Sequence, residues 1–289
     1  MNLNHNNTTF VIVTYKSELI IHECLKTLPE DYNKIIVENS GNVDLKKDLE
    51  KTYKNLEVFI SSNRGMGTSN NFGIEKCNTD FAYVINPDVK FKNDTIKELI
   101  NGMKMIDDFA IASPMCSDLK YPNYTPIKNF SNLTVEKILS VDRIDGYSML
   151  INKNKFTDNV YFDENFFLYL ENDDLCLKKK KEKENIYIIT KSQIEHLGGK
   201  SSNIIHKEEL EYSRNWHWMW SKFYFNKKHY GFFQALLKIS INFLSSIIKY
   251  FFYLIFLNSY KKNIYKMRLS GAINSIMGKA SWFRPNIKN

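Results

Sequence analysis

The chain has 289 residues, which suffices for one large α/β domain and an appended segment. Hydrophobic residues make up 43% and charged residues 25%, close to the average of globular proteins, so wholesale disorder is excluded. The net charge of +8 is unevenly distributed, because 13 Lys and Arg residues and no acidic residue follow Glu211. The first 211 residues instead carry 27 basic and 32 acidic groups. This asymmetry predicts that the C-terminal segment meets a polyanion, either a nucleic acid or an anionic membrane surface.

The first half of the chain alternates between short β-rich runs and helical patterns. The predicted strands are residues 10–15, 34–38, 56–60, 81–85 and 109–112. The predicted helices are residues 17–27, 43–53 and 95–106, with a further helix that follows a loop at 63–71 and ends near Cys77. This alternation predicts an α/β fold with a mostly parallel, Rossmann-like sheet and helices on both faces. Ligands of such sheets bind at the carboxyl ends of the strands, so we expect Thr14, Glu38, Asn63 and Asp88 near one edge.

The middle of the chain is less regular. We expect a loop at 117–130, a strand at 147–151, a helix at 171–183, a strand at 186–190 and a loop opening at His196. The helix at 171–183 begins with acidic residues and ends with lysines, which is the arrangement that the helix dipole favours.

The C-terminal segment has a different character. Residues 208–225 indicate a helix, and residues 239–257 form a nearly apolar run that contains Lys249. Three arrangements are open for this run: a helix in the plane of a membrane, a spanning helix and a packed core helix. A central lysine costs a spanning helix about 2.5–3.5 kcal/mol. We therefore predict a domain at 1–230 and a basic helical region at 231–289 that associates with membranes.

The four cysteines and the first residues of the chain indicate the cellular compartment of the protein. Cys24, Cys77, Cys116 and Cys176 stand far apart without a Cys-x-x-Cys pair, which argues against a disulfide scaffold and a zinc ribbon. The polar residues 1–9 lack the pattern of a signal peptide, so we expect a cytoplasmic protein.

Two loops after strands contain candidate binding residues. Asn86-Pro87-Asp88 places a carboxylate where it can hold a divalent ion against a diphosphate, although Pro-Asp at a strand end also occurs for backbone reasons alone. Asn63, Gly65 and Gly67 lie where a polar loop meets a helix N-terminus, which binds phosphate or a base, or is simply a connection.

The segment 166–176 and His196 are the other candidates. Glu171 and Asp174 share a helix face and follow aromatic residues, which favours a general base with a raised pKa. The alternative is a helix start with acids that favour the dipole. His196 precedes Gly198 and is either structural or able to reach a metal or a phosphate.

Seven short motifs follow one another along the chain. They begin at Val11 (VIVTY), Val37 (VENS), Asn63 (NRGMG), Asn71 (NFGI), Asn86 (NPDV), Phe162 (FDENFFLYLENDDLC) and His196 (HLGG). In this order they resemble the motifs of the family-two glycosyltransferases with the GT-A fold, and most of all their rhamnosyltransferase-like branch. The resemblance covers roughly residues 9–230.

This resemblance implies roles for individual residues. The residues that line the pocket for the nucleotide-sugar donor would be Thr14, Tyr15, Glu38, Asn63, Gly65, Asn86 and Gly146. Asp88 would hold the metal, and His196 would face the metal or the leaving diphosphate. The base would come from the acidic motif, with Glu171 expected first, then Asp174 and Asp173.

Three positions depart from the family pattern. Glu38 stands where the family usually has Asp, Asn86 replaces the first acid of an Asp-x-Asp pair, and Asn172 follows Glu171 where Asp is usual.

The resemblance implies a metal-dependent, inverting glycosyltransferase that uses Mg²⁺ or Mn²⁺. It would move rhamnose or another hexose from a nucleotide-diphosphate sugar to a lipid-linked or glycan acceptor in bacterial surface polysaccharide synthesis. We expect a peripheral protein at the cytoplasmic face of the inner membrane, attached to its anionic surface, with no nucleic-acid partner. Two alternatives are a catalytically inactive module that binds nucleotide sugars, suggested by Asn86 and Asn172, and a nucleic-acid-binding protein that uses the basic segment.

Overall fold

The computed structural model describes residues 3–118, 120–127, 138–157, 159–198 and 207–285. The chain divides into two compact units. The first comprises Met1–Asp163 and Asn172–Asn203, and the second comprises Glu164–Glu171 and Ile204–Asn289.

The first unit contains the alternating elements. Its strands are β1 (Thr8–Thr14), β2 (Asn33–Glu38), β3 (Leu56–Ile60), β4 (Phe81–Ile85), β5 (Val89–Phe91), β6 (Ile111–Cys116), β7 (Tyr124–Pro126), β8 (Ile138–Ile144), β9 (Ser148–Asn152) and β10 (Ile186–His196). Its helices are α1 (Glu18–Leu25), α2 (Val43–Thr52), α3 (Met66–Glu75), α4 (Thr95–Met103) and α5 (Glu171–Lys181, whose first residue belongs to the second unit), with a 3₁₀ turn at Lys153–Lys155.

The described strands form one mixed sheet in the order β3-β2-β1-β4-β9-β6-β10-β8-β7, and β5 pairs with β10. β1 to β4 are parallel to one another, and β6 is parallel to β10. β9 is antiparallel to both β4 and β6, and it joins the two parallel groups. Parallel order brings the carboxyl ends of β1 to β4 to one edge, where the polar residues after these strands are held.

The apolar residues of the central strands explain this sheet. All seven residues of β1 are buried, as is typical of a strand that is covered on both faces. Alternate residues contribute to two separate clusters, one that contains Phe10 and Ile12 and one that contains Val11 and Val13. The sheet therefore has a core on each face.

The second unit contains three long helices, α6 (Lys207–Tyr230), α7 (Phe232–Ile255) and α8 (Ser259–Ile276). α6 and α8 approach closely at Gly271, where an added Cβ would lie 2.1 Å from the carbonyl oxygen of Trp216. The indole Nε1 of Trp216 also donates to Ser270 Oγ at 3.0 Å. Trp216 and Trp220 of α6 are thus buried within this unit, whereas Trp218 is partly exposed.

Several elements differ from the sequence prediction. α3 begins at Met66, inside the predicted loop at 63–71, and β10 continues to His196 rather than ending at residue 190. β5, β7, β8 and α8 were not predicted. The predicted loop at 117–130 contains β7, and its last residues, 128–130, lie outside the described residues.

The packing also groups α6 with α7 and α8, whereas the predicted division fell after residue 230. The reason is the contact between α6 and α8, which the apolar run alone did not indicate. The four cysteines are free and buried.

Candidate active site

The loops after β1, β2 and β3 meet at the carboxyl edge of the sheet. The Asn63 side chain lies near the Tyr15 hydroxyl and accepts a hydrogen bond from the Gly65 amide at 3.3 Å. Burial raises the pKa of Tyr15, the Asn63 side chain opposes this rise, and the nearby Glu38 carboxylate adds to it. Gly65 precedes α3 with a φ of 101°, a conformation that favours glycine. The structure therefore brings these predicted donor residues together.

Glu38 is fully buried at the end of β2. Its carboxylate accepts from the amide of Ser40 at 2.9 Å, from the hydroxyl of the same residue, and from the amide of Asn42 at 2.7 Å. Both carboxylate oxygens thus fix the loop that begins α2. Glu38, which stands where the family usually has the shorter Asp, therefore uses its carboxylate for hydrogen bonds within the chain.

Three more polar side chains lie nearby in this part of the fold. Thr14 Oγ1 is buried at the end of β1 and has no hydrogen-bond partner among the described residues. The Asn39 amide exchanges hydrogen bonds with Ser69 Oγ, at 2.8 and 3.1 Å. Asn39 follows Glu38 in the motif that begins at Val37, so the resemblance marked this position without assigning it a role.

Asn86 and Asp88 lie between β4 and β5. Asn86 Oδ1 and Asp88 Oδ1 are buried and accept no hydrogen bond from the described residues. His196 lies at the end of β10, opposite Val89 in the antiparallel pairing with β5. Its Nε2 is 3.4 Å from Asp88 Oδ1. The extension of β10 beyond the predicted strand is what places His196 beside Asp88.

Asp88 and its neighbours Asn86 and His196 fit a divalent cation whose other ligands come from a substrate. No group of three or more His, Cys, Asp and Glu side chains among the described residues is placed to hold a metal ion. Mg²⁺, however, is commonly held by one or two carboxylates together with substrate phosphates and water. Two buried oxygens without hydrogen-bond donors and an adjacent imidazole suit that role.

The loop between β8 and β9 completes this side of the site. The Tyr147 ring stacks on His196 with centroids 3.8 Å apart. A Cβ at Gly146 would lie 3.2 Å from Asn172 Cβ, so glycine permits the loop to approach α5. The Asn172 amide donates to the Ile144 carbonyl at 3.0 Å, which a carboxylate cannot do. Asn172 therefore holds the end of β8 against the start of α5.

Arg143, Asp145 and Asp173 form a charged group beside this loop. Arg143 Nε lies 3.1 Å from Asp173 Oδ1, and Arg143 Nη2 lies 3.5 Å from Asp145 Oδ1. Burial raises the pKa of both carboxyl groups, and Arg143 opposes the rise. Asp173 is thereby engaged in an ion pair. Sequence reasoning missed Arg143 at the end of β8, and it missed Asp145 and Tyr147, although Gly146 lies between these two.

Asp174 and Glu171 differ in burial. Only 3% of Asp174 is exposed, whereas Glu171 is partly exposed as the first residue of α5. Tyr169 and Leu170 directly precede Glu171 and have φ angles of 72° and 69°. Two successive left-handed residues without glycine are costly, on the order of 1–3 kcal/mol each, and such strain is concentrated at functional sites. The strained approach distinguishes Glu171 from Asp174, and of the two Glu171 carboxylate oxygens Oε2 is buried.

The segment Glu164–Glu171 is held by the second unit. Ser221 Oγ of α6 donates to the Leu168 carbonyl at 2.8 Å. Phe167 stacks on His217 with centroids 4.5 Å apart, and the Arg284 guanidinium lies 3.7 Å from the centroid of the Phe167 ring. Burial lowers the pKa of His217 to about 3, so the ring is neutral in this packing.

Outside the described residues lies Gly199, the last residue of the motif that begins at His196. The first unit holds Thr14, Tyr15, Glu38, Asn63, Gly65, Asn86, Asp88, Gly146, Asp173, Asp174 and His196.

The chain belongs to the family described as Glycosyl transferase family 2, whose sequence profile matches residues 9–182. The matched region includes each predicted site residue except His196.

Two characterised relatives are similar to the chain. One is the low-salt glycan biosynthesis hexosyltransferase Agl10 of Haloferax volcanii, 24% identical over 63% of this chain and 64% of that protein. The other is the rhamnosyltransferase WbbL of Escherichia coli K12, 27% identical over 58% of this chain and 75% of that protein. The chain thus spans slightly less than two thirds of the length of Agl10.

Solved structures show the same fold. Residues 1–349 of S. aureus TarS match 94% of this chain and 92% of that one, with a TM-score of 0.52 and 12% identity. The mannosyltransferase PcManGT of Pyrobaculum calidifontis, in complex with GDP-Man and Mn²⁺, covers 94% of this chain and 88% of its own, with a TM-score of 0.55 and 10% identity. The expected GT-A fold is confirmed.

Proposed function

We propose that the chain transfers rhamnose or another hexose from a nucleotide-diphosphate sugar to a hydroxyl group, with inversion at the anomeric carbon. Membership of the family and the hexosyltransferase and rhamnosyltransferase relatives support a sugar transferase. The observation that carries the proposal is the pair of buried oxygens on Asn86 and Asp88 beside His196, at the carboxyl edge of the parallel strands.

The donor would lie along this edge. Tyr15 and the nearby Asn63 would face the nucleotide together with Thr14, whose buried hydroxyl has no hydrogen-bond partner among the described residues. Glu38 would act by fixing the loop at 40–42 rather than by binding directly. Gly65 would place the N-terminus of α3, with its amide groups, toward a phosphate or a base.

Asp88 and His196 would hold Mg²⁺ or Mn²⁺. When bound, the ion neutralises negative charge on the nucleoside diphosphate as it leaves. The complex of PcManGT with Mn²⁺ supports a divalent ion in this fold. Gly146 would allow its loop to lie close to the donor sugar.

Glu171 would be the general base. Its carboxylate would accept the proton of the acceptor hydroxyl as the acceptor oxygen forms a bond to the anomeric carbon. The bond from that carbon to the diphosphate oxygen breaks, and the electron pair leaves with the nucleoside diphosphate. Attack on the face opposite the leaving group inverts the configuration.

The acceptor would be a lipid-linked sugar or a growing glycan of a bacterial surface polysaccharide. The enzyme would meet it as a peripheral protein at the cytoplasmic face of the inner membrane. The basic segment after Glu211 supports that location, because the cytoplasmic leaflet carries anionic lipids.

A panel of nucleotide sugars tests the proposal. The purified full chain is incubated with UDP-, GDP- and dTDP-linked hexoses and Mn²⁺ or Mg²⁺, and release of nucleoside diphosphate is measured with and without a chelator. We expect slow release from one donor class, which the chelator abolishes. Tight binding of a nucleotide sugar with neither hydrolysis nor transfer would instead identify the inactive binding module.

A further inference from the structure

One face of α7 exposes a continuous row of large apolar side chains, which we call the α7 ridge. Phe233 and Ile241 are each 80% exposed. The ridge consists of Phe233, Leu237, Ile241, Leu244, Ile248, Phe251, Phe252 and Ile255. At about 100° per residue these positions lie within roughly a third of the helix circumference. Contiguous exposed apolar surface of this kind marks an interaction site rather than ordinary surface.

The opposite face of α7 packs inside the second unit. Ala235, Ile239 and Ser246 are buried there, and the first two join a cluster with Met219 and Phe223 of α6. α7 is therefore attached to its neighbours along one side and bare along the other.

This packing distinguishes between the three arrangements that the sequence leaves open for the apolar run: an in-plane helix, a spanning helix and a packed core helix. α7 is the one helix in the described part of the chain that is long and apolar enough to cross a membrane, and only 17% of its most apolar window is buried. So small a buried share excludes a packed core helix. A spanning helix would have to take its partners with it, including Lys222 of α6 and Arg268 of α8, into hydrocarbon, where charges are costly.

The charges around the ridge identify the occupant. Lys238 and Lys249 of α7 are both exposed, and their separation of three helical turns places them along the same border of the ridge. Exposed lysines also lie before α7, at Lys227, and after it, at Lys261. Lysines in such positions can reach lipid headgroups while neighbouring apolar side chains enter the acyl region.

We infer that the α7 ridge inserts in the plane of an anionic lipid bilayer, with Lys238 and Lys249 at the headgroups. The absence of acidic residues after Glu211 removes the repulsion that such a surface would otherwise meet. The inference deepens the proposed function, on which it rests for its biological purpose, but the docking itself needs no sugar donor.

Vesicle flotation tests the ridge directly. The full chain is mixed with vesicles of phosphatidylcholine alone or with phosphatidylglycerol, and the floating fraction is measured. Ile241→Glu and Ile248→Glu should each weaken binding by roughly 10- to 100-fold, because an apolar side chain that enters the bilayer is replaced by a charge. Leu19→Glu is the matched control, because Leu19 is 82% exposed on α1, and its binding should be unchanged. Circular dichroism and thermal melting establish that each variant is folded.

The lysines provide a second measurement. Lys238→Gln and Lys249→Gln should each weaken binding about five-fold to vesicles with phosphatidylglycerol and leave binding to phosphatidylcholine alone unchanged. High salt should release part of the bound protein.

Two results would overturn the inference directly: no binding to anionic vesicles at low salt, and equal binding by the ridge variants and the wild type. Release of the bound protein only by detergent would overturn it as well, because it indicates a spanning helix. So would a stable dimer that Ile241→Glu dissociates, because the ridge would then be a contact between copies of the chain. None of these four results depends on sugar transfer. Membrane docking can therefore hold if the proposed function fails, and the proposed function can hold if membrane docking fails.

Discussion

The two compact units solve the problem of positioning polar groups in different ways. In the first unit, polar side chains at strand ends are fixed by hydrogen bonds to the loops beside them, as Glu38 is by Ser40 and Asn42. In the second unit, two side chains of α6 hold the segment that ends in Glu171. The His217 ring stacks on Phe167, and the Ser221 hydroxyl donates to the Leu168 carbonyl. The first unit matches the family profile over most of its length, whereas the bundle lies outside the match.

This difference separates two tasks of the proposed reaction. The residues expected to bind donor and metal belong to the first unit, and the expected base belongs to the second. Changes in the two units should therefore have different kinetic signatures: loss of donor and metal binding in one case, loss of turnover with donor binding intact in the other.

Asp88→Asn should reduce turnover by at least about 10³-fold, because the main protein charge beside the donor diphosphate is removed. Measurement of nucleoside diphosphate release over a range of Mn²⁺ concentrations checks this. Asp44→Asn is the control, since the Asp44 side chain is 96% exposed on α2. If Asp88→Asn keeps most of its metal-dependent activity, Asp88 is a turn residue and the metal lies elsewhere.

Glu171→Gln should reduce sugar transfer by roughly 10²–10⁴-fold, the usual contribution of a general base. Donor affinity, measured by calorimetry, should hardly change, because the donor residues lie in the first unit. Asp174→Asn is the comparison within α5, since this side chain is 3% exposed. Inactivity of a folded Asp174→Asn or Asp173→Asn together with an active Glu171→Gln would reverse the ranking of the three carboxylates.

Local patterns in the sequence predicted more of the first unit than of the second. The strands at 56–60 and 81–85 are confirmed residue for residue. The second is a continuous apolar run that is buried throughout, and such a run between turn residues indicates a buried strand clearly. The position of His196 beside Asp88 was not predictable from the strand pattern, because it depends on pairing of β10 with β5 across a long stretch of chain. The role of Ser221 in holding Leu168 was also invisible, because this contact joins segments far apart in the sequence.

Asn172 illustrates a departure from the family that the structure explains. Asn172→Asp brings in the usual family residue, but it removes the donor to the Ile144 carbonyl and adds a charge next to Asp173. We expect a loss of about 1–3 kcal/mol in the free energy of unfolding, measured by urea denaturation, and no gain in turnover. Asn154→Asp is the control, because Asn154 is the exposed residue of the 3₁₀ turn in the same unit. A gain of tenfold or more in turnover would show that Asn172 has replaced a catalytic acid.

Ser221→Ala should have the smallest effect and the most specific one. The hydroxyl that it removes donates to the Leu168 carbonyl, directly before the left-handed residues Tyr169 and Leu170 that lead to Glu171. Without it the strained backbone can relax, and small displacements of a reacting group are costly in rate. We expect kcat to fall about tenfold, which corresponds to about 1.4 kcal/mol, while the KM for the donor is unchanged.

A comparison with a second serine separates positioning from general loss of stability. Ser240→Ala removes a hydroxyl bond of the same length within α7, to the carbonyl of Leu237 at 2.8 Å, and should leave kcat unchanged. The pH profile of kcat should keep its acidic limb in Ser221→Ala and lose it in Glu171→Gln, because a displaced base still titrates and an amide does not. A rise in the donor KM with unchanged kcat would place the effect of Ser221 on the donor instead and break the division of tasks between the two units.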